Sequence, residues 1–173
     1  EKVLSRNPHH REARLVMVDL LMRLTRWEDA LRQLGTLRSE FPNDSQVLLL
    51  AAAVDFRRNE FASAESLTTQ LIDKGLGTAE VYRIRAFSRF MLENYEGFKN
   101  DLEALIGKDP TNADAYYHLG RFYYENQQFT DGLKALQKAT ELDPNHYRAL
   151  YFLGWCQQAQ GDLPAAKESY KRS

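Results

Sequence analysis

Apolar residues recur along the chain at three- and four-residue intervals, and the pattern breaks at regular points. Each 34-residue stretch is interrupted once near its middle, at Thr25-Arg26, Asn59, Glu93-Asn94, Asn126-Gln127 and Gly161-Asp162. Every period therefore reads as two helices of roughly 12–14 residues joined by a tight turn. Asn112 before Ala113 and Thr78 before Ala79 carry side chains suited to N-caps, and Glu80 and Asp114 suit the positive end of a helix. Pro164 falls in a first turn, where a missing donor costs little.

The periods share one register. Pro8, Pro42, Pro110 and Pro144, four of the five prolines, lie on a ladder with a step of 34. At the missing rung Leu76 sits between Gly75 and Gly77, which break a helix by flexibility as proline does by losing a donor. Small residues keep step as Ala30, Ala64, Gly132 and Ala166, and again as Ala52, Ala86, Gly120 and Gly154. Bulky ones recur as Trp27, Phe61, Tyr95, Phe129 and Leu163. A lone helix pair cannot bury its apolar faces, so each pair must stack on the next, with the small residues allowing close approach. The pattern thus predicts an all-α, α-solenoid architecture.

Composition narrows the function. A length of 173 residues with 43% hydrophobic and 27% charged suits one domain with a continuous core. A net charge of −1 gives no field to recruit nucleic acid or an anionic membrane. The longest uninterrupted apolar run, Val47–Val54, has eight residues, against about 18 for a membrane span. One cysteine, Cys156, excludes an internal disulfide and reads as a small core residue. The chain starts at Glu1 without methionine or a signal-like segment. The compartment is left open, with a soluble cytoplasmic setting favoured.

The ladder resembles the tetratricopeptide repeat over nearly the whole chain. In Ala113–His146, Tyr116, Leu119, Gly120, Tyr123, Gly132, Leu136, Ala139 and Pro144 fit the family pattern. The copy from Tyr147 repeats it with Leu150, Leu153, Gly154, Ala166 and Tyr170. The implied layout is the tail of a preceding repeat over 1–10, full repeats over 11–44, 45–78, 79–112 and 113–146, and a partial fifth over 147–173. This reads as an internal piece of a longer array. Val18 and Phe98 stand where the family has small residues, and Phe98 is expected to widen the third hairpin. Pentatricopeptide repeats, which bind RNA, have period 35, to which this ladder never slips.

The resemblance implies a right-handed superhelix of antiparallel helix pairs, whose concave surface is lined by first helices and holds a peptide. Side chains left over after packing form a stripe on those helices: Phe56; Arg83, Phe87 and Phe90; Tyr117, Arg121 and Tyr124; Arg148, Tyr151 and Trp155. For Phe56, Phe90 and Tyr124, packing between helices and a groove role stand as equal alternatives. Phe87, Tyr117, Tyr151 and Trp155 occupy places where the family often has polar groups, and are expected to be exposed for binding. The groove would take apolar side chains of a protein or peptide, with Arg57, Arg83, Arg121 and Arg148 adding charge-assisted bonds. A short segment should bind with an affinity on the order of micromolar. The lysine–asparagine clamp with which some family members grip chaperone tails is missing: its places hold Leu15 with Asp19, Leu49 with Ala53, Arg83 with Phe87 and Tyr117 with Arg121.

Other chemistry finds little support. His9, His10 and His146 lie in turns between hairpins and read as plain surface residues. His118 lacks a ligand at three- or four-residue spacing, so neither a metal nor another cofactor is expected. No catalytic triad or phosphate loop is seen, and Gly75-Leu76-Gly77 reads as a linker. The expectation is a non-enzymatic interaction scaffold. Its alternatives are a structural spacer that self-associates through end faces bearing Leu163 and Tyr170, or a regulatory arm of a larger protein.

Overall fold

The computed structural model describes residues 9–173, and the reading of Glu1–Asn7 as part of an earlier helix lies outside the described residues. Among the described residues there are ten helices: α1 (Arg11–Arg23), α2 (Trp27–Glu40), α3 (Ser45–Arg57), α4 (Phe61–Asp73), α5 (Ala79–Met91), α6 (Tyr95–Lys108), α7 (Ala113–Glu125), α8 (Phe129–Leu142), α9 (Tyr147–Ala159) and α10 (Leu163–Arg172). No helix there is long and apolar enough to cross a membrane.

Local chemistry at the helix ends sets these boundaries. The odd-numbered helices each start after a side chain that accepts a backbone N–H of the first turn. Asp44 takes Gln46 and Val47 at 3.0 and 3.1 Å, Thr78 takes Val81 at 3.4 Å, and Asn112 takes Ala115 at 3.0 Å. The remaining two caps are His10 and His146, whose Nδ1 atoms accept from Ala13 and Ala149, each at 3.2 Å. An accepting Nδ1 must be unprotonated, so each of these rings carries its proton on Nε2. The surface role expected for His146 is thereby corrected: its side chain is only 10% exposed, and its Nε2 reaches Asp114 at 3.1 Å.

The turns inside the helix pairs also repeat with the period. Thr25, Asn59, Glu93 and Gln127 have φ between 56° and 65°, and Gly161 has φ 84°. Each donates its N–H three residues back, and the next residue donates five back; Gln127 reaches Tyr124 O at 2.9 Å and Gln128 reaches Tyr123 O at 2.8 Å. Left-handed backbone at this position ends a helix and reverses the chain within two residues. Gly75, with φ 75°, ends α4 in the same way, where the proline ladder lapses.

The helices form two compact units. One comprises residues 9–77 with Phe87–Asn94; the other comprises Thr78–Ala86 with Tyr95–Ser173. In the first, α1 packs on α2 and α3, and α3 on α4. Val18, Leu37, Val47 and Leu71 are sealed there, each contributing about 1.5–3 kcal/mol through burial. Asp55 is buried and accepts the Ser63 hydroxyl at 2.6 Å, while Arg89 reaches Glu65 at 2.8 Å.

In the second unit α6 packs on α7, α7 on α8 and α9, and α9 on α8 and α10. Ile84, Leu102, Leu136 and Leu150 are fully enclosed. Phe98, large where the family has a small residue, is buried edge-on to Phe122 at 6.4 Å. Close approach depends on glycine: a Cβ on Gly120 would meet Leu136 Cγ at 2.5 Å, and one on Gly132 would meet Cys156 Sγ at 3.1 Å. The Asp101 carboxylate, 2% exposed, is gripped by Arg85 through Nε at 2.9 Å and Nη2 at 2.6 Å.

Candidate functional site

On α9, Arg148, Tyr151 and Trp155 are spaced by three and four residues, which puts them on one helix face. Tyr151 is 46% exposed and Trp155 37%. Their rings meet edge to face at 6.0 Å, and Tyr170 from α10 closes on both, at 6.0 Å from Tyr151 and 6.4 Å from Trp155. From α7, Tyr124 lies 6.1 Å from Trp155 and 5.6 Å from Phe152. These offset contacts hold the rings in place and leave part of each in solvent.

Polar groups stand beside the rings. Arg121 binds Glu125 at 2.7 Å and lies 5.8 Å from the Phe152 ring. Arg148 donates from Nε to the Tyr147 hydroxyl at 3.0 Å, with its guanidinium 5.5 Å from that ring. The Tyr170 hydroxyl donates to Gln158 at 3.0 Å. Beyond Tyr170 a shallow depression of about 380 Å³ is lined by Gln158, Leu163, Ala166, Lys167 and Lys171. Under this surface, burial pushes the His118 imidazole down to about 4 and the Cys156 thiol up to about 11. Cys156 is fully buried, and among the described residues no group of three His, Cys, Asp or Glu side chains could hold a metal ion.

Tyr117 departs from its expected exposure. It is 4% exposed, packed with Leu136, Ala149, Leu153 and Cys156, and tilted against His146 at 4.9 Å and Phe152 at 6.0 Å. The reason lies in the stacking: α7 must pack α8 and also the following α9, so the face turned to the next helix pair is core. Phe56, Phe87, Phe90 and Tyr124 are half-buried, with Phe56 edge-on to Phe61 at 5.8 Å. Arg83 binds Glu80 through two bonds of 2.6 and 2.7 Å. Of the expected residues, Tyr124, Tyr151 and Trp155 are brought together, with Arg121 and Phe152 adjoining. Tyr170 was expected on a self-association face and not beside these rings: it stands one period after Leu136, a sealed core residue, so its register marks it as packing.

Two family models described as tetratricopeptide repeat match the chain, over residues 1–54 and 123–173. The chain belongs to the tetratricopeptide-repeat family. It is 41% identical over 51 residues to a peroxisomal targeting signal receptor of Komagataella phaffii, covering 30% of this chain and 9% of that one. It is 27% identical over 165 residues to a TPR repeat-containing protein of Pseudomonas aeruginosa, covering 92% of this chain and 27% of that one. The chain thus spans a minor part of the length of these curated relatives.

Solved structures share the fold. A crystal structure of MamA superposes with a TM-score of 0.80 at 22% identity, covering 90% of this chain and 91% of that one. YrrB, described as a TPR protein with an unusual peptide-binding site, gives 0.82 at 16% identity, covering 99% and 88%. At such identities the likeness establishes the fold, an all-α solenoid of antiparallel helix pairs.

Proposed function

We propose that this chain is a protein-interaction scaffold that binds a peptide or protein segment on the exposed face of its first-position helices, with Tyr151 and Trp155 as the main anchors. The observation that carries the reading is Trp155 set against Tyr124, with Phe152 between them and Arg121 adjoining. This place on the first-position helix stays open under a following helix pair, since Arg121 one period earlier keeps 38% of its side chain exposed. Contiguous exposed apolar surface on a folded domain marks a binding surface. Rigid aromatic rings lose little entropy when a partner side chain docks between them. The local likeness to a targeting-signal receptor and the fold shared with a peptide-binding TPR protein support the same class of function. Arg121, beside the rings, supplies a polar rim. Phe56, Phe87 and Phe90 are a separate candidate surface within the first unit, and Arg83 a further candidate within the second.

The test is selection of binders from a random 12-residue peptide library, followed by calorimetric titration of the selected peptides. Affinity for wild type should be on the order of micromolar, and Tyr151→Ala/Trp155→Ala should weaken it at least about tenfold. Phe87→Ala tests the surface of the first unit separately. Unchanged affinity in the Tyr151/Trp155 variant refutes this placement.

A second reading, association through end faces, has its own observation. Val16 and Leu20 are 67% and 48% exposed, whereas Ile84 and Val54, at matching places in later periods, are sealed. A sedimentation coefficient that stays at the monomer value at every concentration excludes it.

A further inference from the structure

Two histidines close the seam between α7 and α9. His146 precedes α9, and its Nδ1 accepts the Ala149 N–H at 3.2 Å. Its Nε2 reaches Asp114, in the first turn of α7, at 3.1 Å, so one ring ties the start of a helix to the helix pair before it. His118, on α7, lies 4.7 Å from the Tyr117 ring, and His146 lies 4.9 Å from the same ring. Tyr117 is 4% exposed and the His146 side chain 10%, so water has little access to this joint. One period earlier Asn112 caps α7 in the same way, accepting from Ala115 at 3.0 Å. An asparagine side chain has no proton to gain, whereas imidazole changes charge between pH 8 and 5.

A proton on Nδ1 turns the His146 acceptor into a donor, and the Ala149 N–H loses its cap. The imidazolium would then face the positive end of α9. The charged groups around the two rings oppose it on balance. His118 is flanked by Asp114 and Arg121 on its own helix, and by His146 and Arg148 across the seam. Asp143, in the loop before α9, is turned to the Asn145 N–H at 3.0 Å. Asp114 favours a charged His146, but at 82% exposed its pull is that of a surface pair. Burial lowers His118 to about 4, so the joint already resists a charge on that ring. Neither the cap nor the contact with Tyr117 depends on how Arg148 is paired.

We propose that His146 is an acid-operated latch: with Nδ1 unprotonated it caps α9 and holds it against α7, and protonation uncaps the helix and loosens the seam over Tyr117. The folded joint uses the form of the ring that lacks this proton, whereas the opened joint accepts either form. The latch is therefore closed at neutral pH and opens as pH falls. Asp44, Thr78 and Asn112 cap their helices without a change of charge in this range, Asp44 being held below the usual carboxylate range chiefly by its bonds from Arg11. His10 caps α1 with the same atom from a more open place, its side chain 39% exposed. The device stands whether or not the aromatic face takes a peptide.

The test is amide hydrogen exchange by NMR at pH 7 and pH 5, with each rate corrected for the intrinsic effect of pH on exchange. In wild type, protection of Ala149 and Leu150 should fall about tenfold between the two, while that of Ala115, capped by Asn112, stays level. His146→Asn supplies the acceptor already used before α7, and should keep Ala149 protected at both pH values. His118→Gln should leave the fall at Ala149 in place, which separates the latch from the burial of His118. Level protection of Ala149 in wild type overturns the proposal, and so does an equal fall in His146→Asn. A fall shared by Ala115 reports general acid unfolding and overturns it too. Disappearance of the fall in His118→Gln moves the acid response to that ring and overturns the role given to His146.

Discussion

A Cβ atom on Gly154 would lie 2.5 Å from Cε1 of the Tyr170 ring. The bare backbone of α9 lets that ring lie across the helix, where it touches both Tyr151 and Trp155. Packing and candidate binding surface thus meet at one position. Gly154→Val should destabilise the protein by about 1–3 kcal/mol through overpacking, and should also displace Tyr170 from the aromatic cluster. Gly120 is no tighter in distance but less yielding, because its obstacles include the Leu136 backbone nitrogen at 3.1 Å as well as the side chain. In urea denaturation Gly120→Ala should cost more than Gly154→Ala, since a ring can swing aside more cheaply than a backbone can shift.

The left-handed turns make an opposite pair of predictions. Thr25 is β-branched and sits at φ 56°, a conformation that strains its side chain. Thr25→Gly should stabilise the protein by about 1 kcal/mol. Gly161 has φ 84°, and no atom lies within 4 Å of a Cβ built there, so only backbone strain opposes a side chain. Gly161→Ala should lower stability by about 1 kcal/mol. Equilibrium unfolding of both variants reads out the difference in sign.

The Arg85–Asp101 pair should behave as an all-or-none element. Asp101→Ala removes the buried carboxylate that grips a guanidinium only 13% exposed, and should cost about 3 kcal/mol or more. Replacing both residues, as Arg85→Met with Asp101→Leu, should restore much of that loss because no lone charge stays buried. A double-mutant cycle by chemical denaturation measures the coupling. Additive losses would show that the pair does not act as a unit.

Acid should weaken the second unit through His118. Its folded-state value is about 4, lowered chiefly by burial, against 6.5 for the ordinary group. Between those two values the unfolded chain binds a proton that the folded chain does not, so stability falls as pH falls through this window. The loss at pH 5 relative to pH 7 should be roughly 1–2 kcal/mol. His118→Gln should flatten the dependence of the unfolding midpoint between pH 7 and 5. An unchanged slope would place the acid sensitivity elsewhere.

The repeat of 34 and the alternation of helix and turn were readable because they depend on local chemistry. Asn112 and Thr78 cap as their types and places predict, and the turns fall at the marked interruptions. His10 and His146 hold the same places as Asn112 in the period, yet histidine is an unusual cap and its composition gives no such signal. Period alone could have found them. The Arg85–Asp101 pair is equally silent in sequence, since two residues 16 apart meet only after α5 and α6 fold back on one another.

What the sequence determined by itself is the fold: where helices start, where they turn back, and which small residues admit a neighbouring backbone. These follow from hydrogen-bond supply, backbone sterics and a period that repeats them. What only tertiary structure decided is which face of each first helix is covered. Tyr117 and Tyr151 stand one period apart, yet Tyr117 is sealed by the following helix pair and Tyr151 is open. Exposure depends on what is packed against a residue, and neighbouring chain, rather than side-chain type, supplies that cover.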